Sequence, residues 1–530
     1  MAAGHAPKEN DERRGPKTAA PLPFVDRLWL SADKLRGQME EGDYKHVVLG
    51  LIFLKYVSDS FERRRAEIER LTAEESNDEY FLRTPAQRAA ALEDRDYYEA
   101  ASVSWVPEEA RWDFLQRNAK QVNIGRLVDD AMELIEKENP RLTGVLPKGF
   151  ARPEIRPDLI GGLIDLFSGV GVRGEEGSSE DILGRVYEYF LNRFGTNEGG
   201  QYYTPQYVVR LLVEMLEPFK GQVYDPCCGS GGMFVQSMAF VDAHHGRRGD
   251  VSIFGQEAVP ATWRIAKMNL AVRHIDANLG TSWGDSFHED KHPDLRADFV
   301  IANPPFNMSD WGGDRLRQDP RWAYGVPPAG NANFAWVQHF LSHLNASGTA
   351  GFVLANGALS VQGIEGEIRR EIIEADLVDC VVALPRNLFF GTTIPVSLWF
   401  LAKSKNGDGH RDRRGESLFI DAREMGTMVT TSHRVLSQHE VERVAEVYKA
   451  WRGRDGRYED VPEFCRATRS EEIAANRYVL TPGRYVRVRD RVDSEDIDST
   501  ITALRLDLAD RLDRVRELAD LVSDRLSALD

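Results

Sequence analysis

The chain has only four cysteines in 530 residues, and none of them shows paired metal-ligand spacing. That argues against a zinc site, and vicinal Cys227-Cys228 with the lone Cys380 and Cys465 read as reduced packing residues. The twelve histidines form no ligand motif, so no metal is expected. His244-His245, ahead of Gly246-Arg247-Arg248, reads as a solvated helix end. No signal-peptide pattern and no apolar stretch long enough to span a bilayer is found, which points to a soluble, cytoplasmic protein with no membrane role. Internal repeats and helicase or nuclease motifs are also missing. So is a surplus of positive charge: at −17 the chain is a poor sole owner of affinity for a polyanion, because phosphate neutralisation supplies much of that affinity. Any grip on such a polymer should come from something else, apart from local patches such as Arg315, Arg317 and Arg321 with Trp311 and Trp322 interleaved.

The length implies two or three domains. Residues 1–22 are polar, rich in Ala, Pro and Lys, and read as a disordered tail. From Phe24 the pattern turns helical, with Val47, Leu51, Leu54 and Val57, and later Ile124, Leu127, Met132 and Ile135, at helix spacing. A helical domain over 23–168 follows, with a linker from Gly169 and a capping box of Ser178 with Asp181 opening the next helix. Strand and helix then alternate through Phe352-Val353-Leu354, Val378 to Leu384 and Pro395 to Leu401, as in a mainly parallel sheet covered on both faces. This α/β domain spans 169–402, extending to about 425, and the remainder, 426–530, reads as mostly helical. Its last segment carries Ile497, Ile501, Leu504, Leu508, Leu512, Val515, Leu518, Val522, Leu526 and Leu529 at spacings of three and four, a coiled-coil-like stripe suited to a partner's helices or to its own domain.

Two loops carry the chemistry. Gln222-Val223-Tyr224 reads as a strand running into Asp225-Pro226-Cys227-Cys228-Gly229-Ser230-Gly231-Gly232, with a helix from Met233. Glycines there let a ligand approach the backbone, but the spacing is not G-x-G-x-x-G and no phosphate-binding lysine follows. A second strand, Val251 to Gly255, ends in Gln256-Glu257, placing a carboxylate where ribose hydroxyls of a nucleoside-containing cofactor are expected; an NAD site remains open on these residues alone. Downstream, Asp298 to Ala302 delivers Asn303-Pro304-Pro305-Phe306. An exocyclic amino group is a poor nucleophile because its lone pair is delocalised into the ring. Acceptors on its N–H groups, here the Asn303 side-chain oxygen and the Pro304 carbonyl, favour attack on an electrophilic methyl. The prolines stiffen the loop, and Phe306 offers a platform for an extruded base. By itself the tetrapeptide reads equally as a strand followed by a proline turn.

Together, Asp225 to Gly231 and Asn303 to Phe306 resemble the S-adenosylmethionine and catalytic motifs of amino-methylating DNA methyltransferases, in the order used for N6-adenine. Gly200-Gln201-Tyr202-Tyr203-Thr204-Pro205-Gln206 resembles their further cofactor motif. With Asp181 to Phe190, Leu28-Trp29 through Asp59, and Leu480 to Val486, the chain resembles the modification (M) subunit of type I restriction-modification systems over most of its length. The pair Cys227-Cys228 departs from the small or hydroxyl residues more usual in that loop.

The resemblance implies a Rossmann-like S-adenosylmethionine-dependent methyltransferase domain with an N-terminal helical domain and a C-terminal helical extension. Gln201, Tyr202, Tyr203, Thr204, Pro205, Gln206, Cys228, Gly229, Ser230 and Gly231 would line S-adenosyl-L-methionine, with Asp225 near its amino-acid end, Glu257 on its ribose and Asp285 on its adenine amino group. Asn303, Pro304, Pro305 and Phe306 would be catalytic. The implied function is site-specific transfer of a methyl group to N6 of adenine in double-stranded DNA, with a separate specificity (S) subunit reading the sequence and a restriction/translocase (R) subunit left open. Methylation of a glutamine side chain or an RNA amino group is the rival enzyme reading, disfavoured by the helical domain and the terminal stripe. A catalytically idle scaffold is the rival of another class.

Overall fold

The computed structural model describes residues 24–486 except 38, 78–79, 171–178, 195–203, 390–393, 408 and 432, and also residue 505. The N-terminal region is helical: α1 (Phe24–Arg36), α2 (Glu41–Ala73), α3 (Pro85–Leu92), α4 (Asp96–Glu99), α5 (Trp112–Arg117), α6 (Ile124–Glu138) and α7 (Pro157–Ser168). Val47, Leu51, Leu54 and Val57 are all buried, as are Ile124, Met132 and Ile135, while Leu127 is half-buried at the edge of the stripe. Helix α8 (Ser179–Phe194) packs along α2 and sets Phe190 and Phe194 against Trp29 of α1, with ring centroids 5.1 and 4.9 Å away. Ser178 of the expected capping box lies outside the described residues.

After α9 (Gln206–Leu216) come β1 (Gly221–Asp225), α10 (Gly232–Ala243), β2 (Val251–Gly255), α11 (Pro260–Ala271), β3 (Ala277–Asn278), β4 (Ala297–Ala302), α12 (Asn333–His343), β5 (Leu344–Ala355), α13 (Ile364–Glu374), β6 (Val378–Ala383), β7 (Val396–Ala402) and β8 (Glu416–Asp421). A small ribbon, β9 (Thr427–Met428) with β10 (Arg434–Val435), precedes α14 (Gln438–Arg452), β11 (Cys465–Arg469) and α15 (Ser470–Ala475). Nine strands form one sheet in the order β11-β8-β6-β7-β5-β4-β1-β2-β3. All run parallel except β7 and β11. Every residue of β6 and β7 is buried, which is why their sequences read as apolar runs, interrupted by Asp379 and Ser397 alone. The strand order reverses at β1, whose neighbours are β2 and β4, and the carboxyl ends of such a switch point open a crevice.

The tract from residue 403 to 486 is less helical than expected. Strand β11 joins the sheet antiparallel to β8, and α14 packs on α9, so the α/β body extends past residue 425 to the 480s. With two arginines in five residues, Cys465–Arg469 carries no apolar signature, and charge of this kind suits an exposed sheet edge. The apolar stripe from Ile497 to Leu529 lies outside the described residues.

A buried polar network clamps this end. The Asp379 carboxylate of β6 meets the Arg413 guanidinium at 3.2 Å and accepts from the Tyr448 hydroxyl of α14 at 2.6 Å. Burial pushes its carboxyl up, but Arg413, Lys405 and Arg452 together outweigh this and hold it below the ordinary carboxylate range. Removing one partner strands the other charge. Asp379→Ala is therefore expected to cost about 3–5 kcal/mol in urea unfolding, and a loss below about 1 kcal/mol would contradict the clamp.

Candidate active site

The first strand ends at Asp225, and the loop beyond it is tied to the end of β2 by two backbone bonds: Gln256 N–H donates to the Asp225 carbonyl at 3.0 Å, and Cys228 N–H to the Gln256 carbonyl at 2.9 Å. Gly229 and Gly231 sit at φ +54° and +80°, conformations that favour glycine, and Gly231 caps α10. A Cβ added at Gly229 or Gly232 would meet nothing within 4 Å, so the loop leaves open space beside it. That space belongs to a cleft of about 690 Å³, counting its open mouth, which Thr204, Gln206, Asp225, Cys227, Cys228, Gly229, Ser230 and Asn303 line together with Asn269 and Arg273 of the α11 segment.

Asp225 is fully buried and accepts from Cys227 N–H at 3.0 Å; burial raises its carboxyl from 3.8 to about 7. Glu257 stands behind the loop. One carboxylate oxygen accepts from Gly229 N–H at 3.0 Å and the other from Val259 N–H at 2.8 Å, so it braces the glycine turn. Burial raises its pKa, partly offset by those N–H groups. Gln256, also buried, donates to the Gly284 and Glu289 carbonyls at 2.9 and 2.8 Å and so holds the loop that carries Asp285. Asp285 itself is exposed, closes a turn onto Phe287 N–H at 2.8 Å, and does not line the cleft.

Asn303 follows β4 and reaches the same cleft. Its Nδ2 donates to Thr204 Oγ1 at 2.8 Å, while its Oδ1 is buried with no hydrogen-bond partner among the described residues. Pro304 is buried, Pro305 exposed, and Phe306 half-buried with its ring edge-on to Phe389 at 6.1 Å. Just beyond, Asn307 is held at φ +53° by a reciprocal amide pair: its N–H donates to Asn333 Oδ1 at 3.0 Å and Asn333 Nδ2 donates to its Oδ1 at 2.9 Å. The start of α12 thereby fixes the far end of the tetrapeptide.

Of the residues singled out from the sequence, the cleft brings together Thr204, Gln206, Asp225, Cys228, Gly229, Ser230 and Asn303. Pro205 and Gly231 sit as caps of α9 and α10, and Gln201, Tyr202 and Tyr203 lie outside the described residues. Asn269, Arg273, Gln256 and Asn333 were not singled out, because a lone amide or arginine has no periodic or spacing signature.

The segment after the tetrapeptide differs from its expected role. Trp311 and Trp322 are buried with Phe287, and Arg321 is spent internally on Asp319, the Ser286 carbonyl and His339, so only Arg315 and Arg317 remain exposed to a ligand. Nearby, Asp290, His339 and His343 place potential ligand atoms within 4.8 Å of one another. No ligand motif was singled out among the histidines, although the H-x-x-x-H spacing of His339 and His343 on α12 could have marked this cluster. Arg321 donates to His339 Nδ1 at 3.0 Å, which leaves the ring proton on Nε2, 3.3 Å from the Tyr224 hydroxyl. These contacts tie His339 to Arg321 and Tyr224.

A doubly wound sheet of this order, with a glycine loop after its first strand and Asn-Pro-Pro-Phe after its fourth, defines a class I S-adenosylmethionine-dependent methyltransferase fold. Residues 178–494 match the family described as N-6 DNA Methylase and residues 24–167 the HsdM N-terminal domain, and the chain belongs to this family, as a type I methylase subunit. It is 39% identical to the type I restriction enzyme MjaIX methylase subunit of Methanocaldococcus jannaschii, over 96% of this chain and 91% of that one. It is 46% identical to the HindI methylase subunit of Haemophilus influenzae, over 73% and 91% respectively. In fold it resembles the type I restriction-modification methyltransferase subunit of Streptococcus thermophilus, with TM-score 0.70, 24% identity, and 87% and 98% of the two chains covered. A further solved structure, from work on complex assembly and conformational transition of the type I R-M system, has TM-score 0.60 at 17% identity and covers 94% of this chain and 98% of that one.

The buried Asp225 makes a pH-dependent statement. Folded, its carboxyl titrates at about 7 against 3.8 ordinarily, so the folded chain keeps a proton that the unfolded chain has released, and stability falls as pH rises between those values. Asp225→Asn removes that cost. The variant is expected to be more stable than wild type above pH 7 by on the order of 2–4 kcal/mol, the gap closing toward pH 4, in denaturation curves without cofactor. A gap independent of pH would contradict the assignment.

Proposed function

We propose that the chain transfers the methyl group of S-adenosylmethionine to N6 of an adenine extruded from duplex DNA, as the modification subunit beside a separate specificity subunit. The observation that carries this reading is the buried Oδ1 of Asn303, without a partner among the described residues, on the wall of the cleft bounded by the glycine loop. A buried acceptor without a donor costs about 1–3 kcal/mol, and the cost is recovered when a substrate N–H arrives.

The cleft fits the methyl donor. Open space flanks Gly229 and Gly232, Asp225 offers a carboxylate for a cationic group, and Glu257 keeps the turn in shape. When bound, S-adenosylmethionine supplies an electrophilic methyl on a sulfonium. Asn303 Oδ1 and the Pro304 carbonyl accept the two N6 hydrogens, which favours a pyramidal nitrogen and relieves its developing positive charge. With the methyl donor bound, the N6 lone pair would form the new carbon–nitrogen bond while the sulfur kept the electron pair of its methyl bond, and one N6 proton would pass to water. Phe306 stacks on the extruded base. No cysteine nucleophile is required. Cys227 and Cys228 sit in the glycine loop, and burial pushes both thiols far up, the opposite of an activated thiolate.

A separate specificity subunit is supported by the charge of −17 and by the type I relatives. The stripe from Ile497 to Leu529 is its proposed docking element, on sequence spacing alone. Among the described residues no helix is long and apolar enough to cross a membrane.

In the assembled complex, Asn303→Ala is expected to lower methyl transfer by about 100- to 1,000-fold while the affinity for S-adenosylmethionine stays within about threefold. Loss of cofactor binding instead would remove Asn303 from the acceptor role. For Phe306, labelled-methyl incorporation should drop about 10-fold or more with Ala and be partly kept with Tyr or Trp. Equal losses in all three would rule out stacking.

A further inference from the structure

We infer that Thr204 is a positioning residue for the catalytic amide: its Oγ1 holds Asn303 Nδ2 so that Oδ1 is presented to the amino group being methylated. The inference rests on the amino-methylation reading and deepens it, because the sequence alone places Thr204 among the cofactor contacts.

An asparagine amide has two nearly isosteric ends, one an acceptor and the other a donor, and only the acceptor end helps an amino nucleophile. Among the described residues the Asn303 amide has one hydrogen-bonded neighbour. Thr204 Oγ1 accepts from Nδ2 at 2.8 Å, across 99 residues of sequence, and Oδ1 is left buried without a partner among the described residues. A hydroxyl can also donate, so by itself it could serve either end. A substrate amino group needs an acceptor, and selects the arrangement in which Thr204 takes the NH₂. Donation from Nδ2 then draws electron density through the amide toward Oδ1 and strengthens it as an acceptor, since linked hydrogen bonds polarise one another.

Thr204 is well placed to do this. Pro205, which follows it, holds it off the helical region and caps α9. Helix α9 is pinned one turn later by the Tyr207 hydroxyl, which donates to the Arg434 carbonyl at 3.0 Å. Thr204 and Asn303 line the same cleft as the glycine loop, so the hydroxyl and the amide it holds face one shared space.

The test uses the assembled methylase complex with unmethylated DNA and saturating S-adenosylmethionine, in single turnover. Thr204→Val keeps shape and removes the oxygen; Thr204→Ser restores it. Thr204→Val is expected to slow methyl transfer about 10-fold or more, with cofactor and DNA affinities within about twofold, and Thr204→Ser to recover most of the rate. If Thr204→Val weakens cofactor binding and leaves the saturated rate intact, or if Ser and Val are equally impaired, the positioning role is overturned. A wild-type complex that makes no N6-methyladenine overturns the amino-methylation reading and this inference with it, whereas normal wild-type turnover with an unslowed Thr204→Val overturns the role of Thr204 alone.

Discussion

The parallel pairing of β1 with β4 at the centre of the sheet is the constraint on which the rest depends. Val223 lies opposite Phe299 and Tyr224 opposite Val300, so the two strands end at the same face about 5 Å apart, and whatever leaves one must meet what leaves the other. The glycine loop leaves β1 and the Asn-Pro-Pro-Phe loop leaves β4. Their start is locked as well. The Asp298 carboxylate accepts from Gln222 N–H at 2.7 Å and from Asn345 Nδ2 at 2.8 Å, joining β1, β4 and β5. Gly221 must be glycine there, because at φ +99° a Cβ would lie 2.3 Å from Asp298 Oδ2.

Buried polar side chains then turn this juxtaposition into a rigid site. Glu257 and Gln256 at the end of β2 hold the glycine turn and the 284–291 loop, and Asn333 at the start of α12 holds the far side of the tetrapeptide. Arg321 binds Asp319, the Ser286 carbonyl and His339, linking the loop after the tetrapeptide to the one after β3. Unsatisfied, each of these groups would cost free energy. Satisfied, they leave few alternatives to the observed loop shape, and among the described residues that line the cleft the buried acceptor left open is Asn303 Oδ1, where an incoming N–H is needed.

Much of this was legible in the sequence because it rests on local signatures. The strands around β1, β2 and β4 were read within a residue or so, since each is a short apolar run ended by Gly, Pro or an acid. What escaped has a non-local cause. The antiparallel insertion of β7 between β5 and β6 follows from pairing, which no run of residues encodes. Strand β11 is an edge strand made polar by two arginines and was expected as part of a helical tract. Trp311, Trp322 and Arg321 looked like a surface for nucleic acid because aromatic and basic residues alternate there, yet burial of the rings against Phe287 and the ion pair with Asp319 turn them inward. Thr204 was legible as part of a motif but not as the partner of Asn303, a residue 99 positions away.

The central claim is that this chain places the methyl group on an adenine amino nitrogen and relies on another subunit to hold the DNA. The direct measurement is transfer of labelled methyl from S-adenosylmethionine to unmethylated DNA, by the chain alone and then with the specificity subunit, followed by nucleoside analysis. The account expects N6-methyladenine only when both subunits are present. Label on cytosine, or equal methylation by the chain alone, would contradict it.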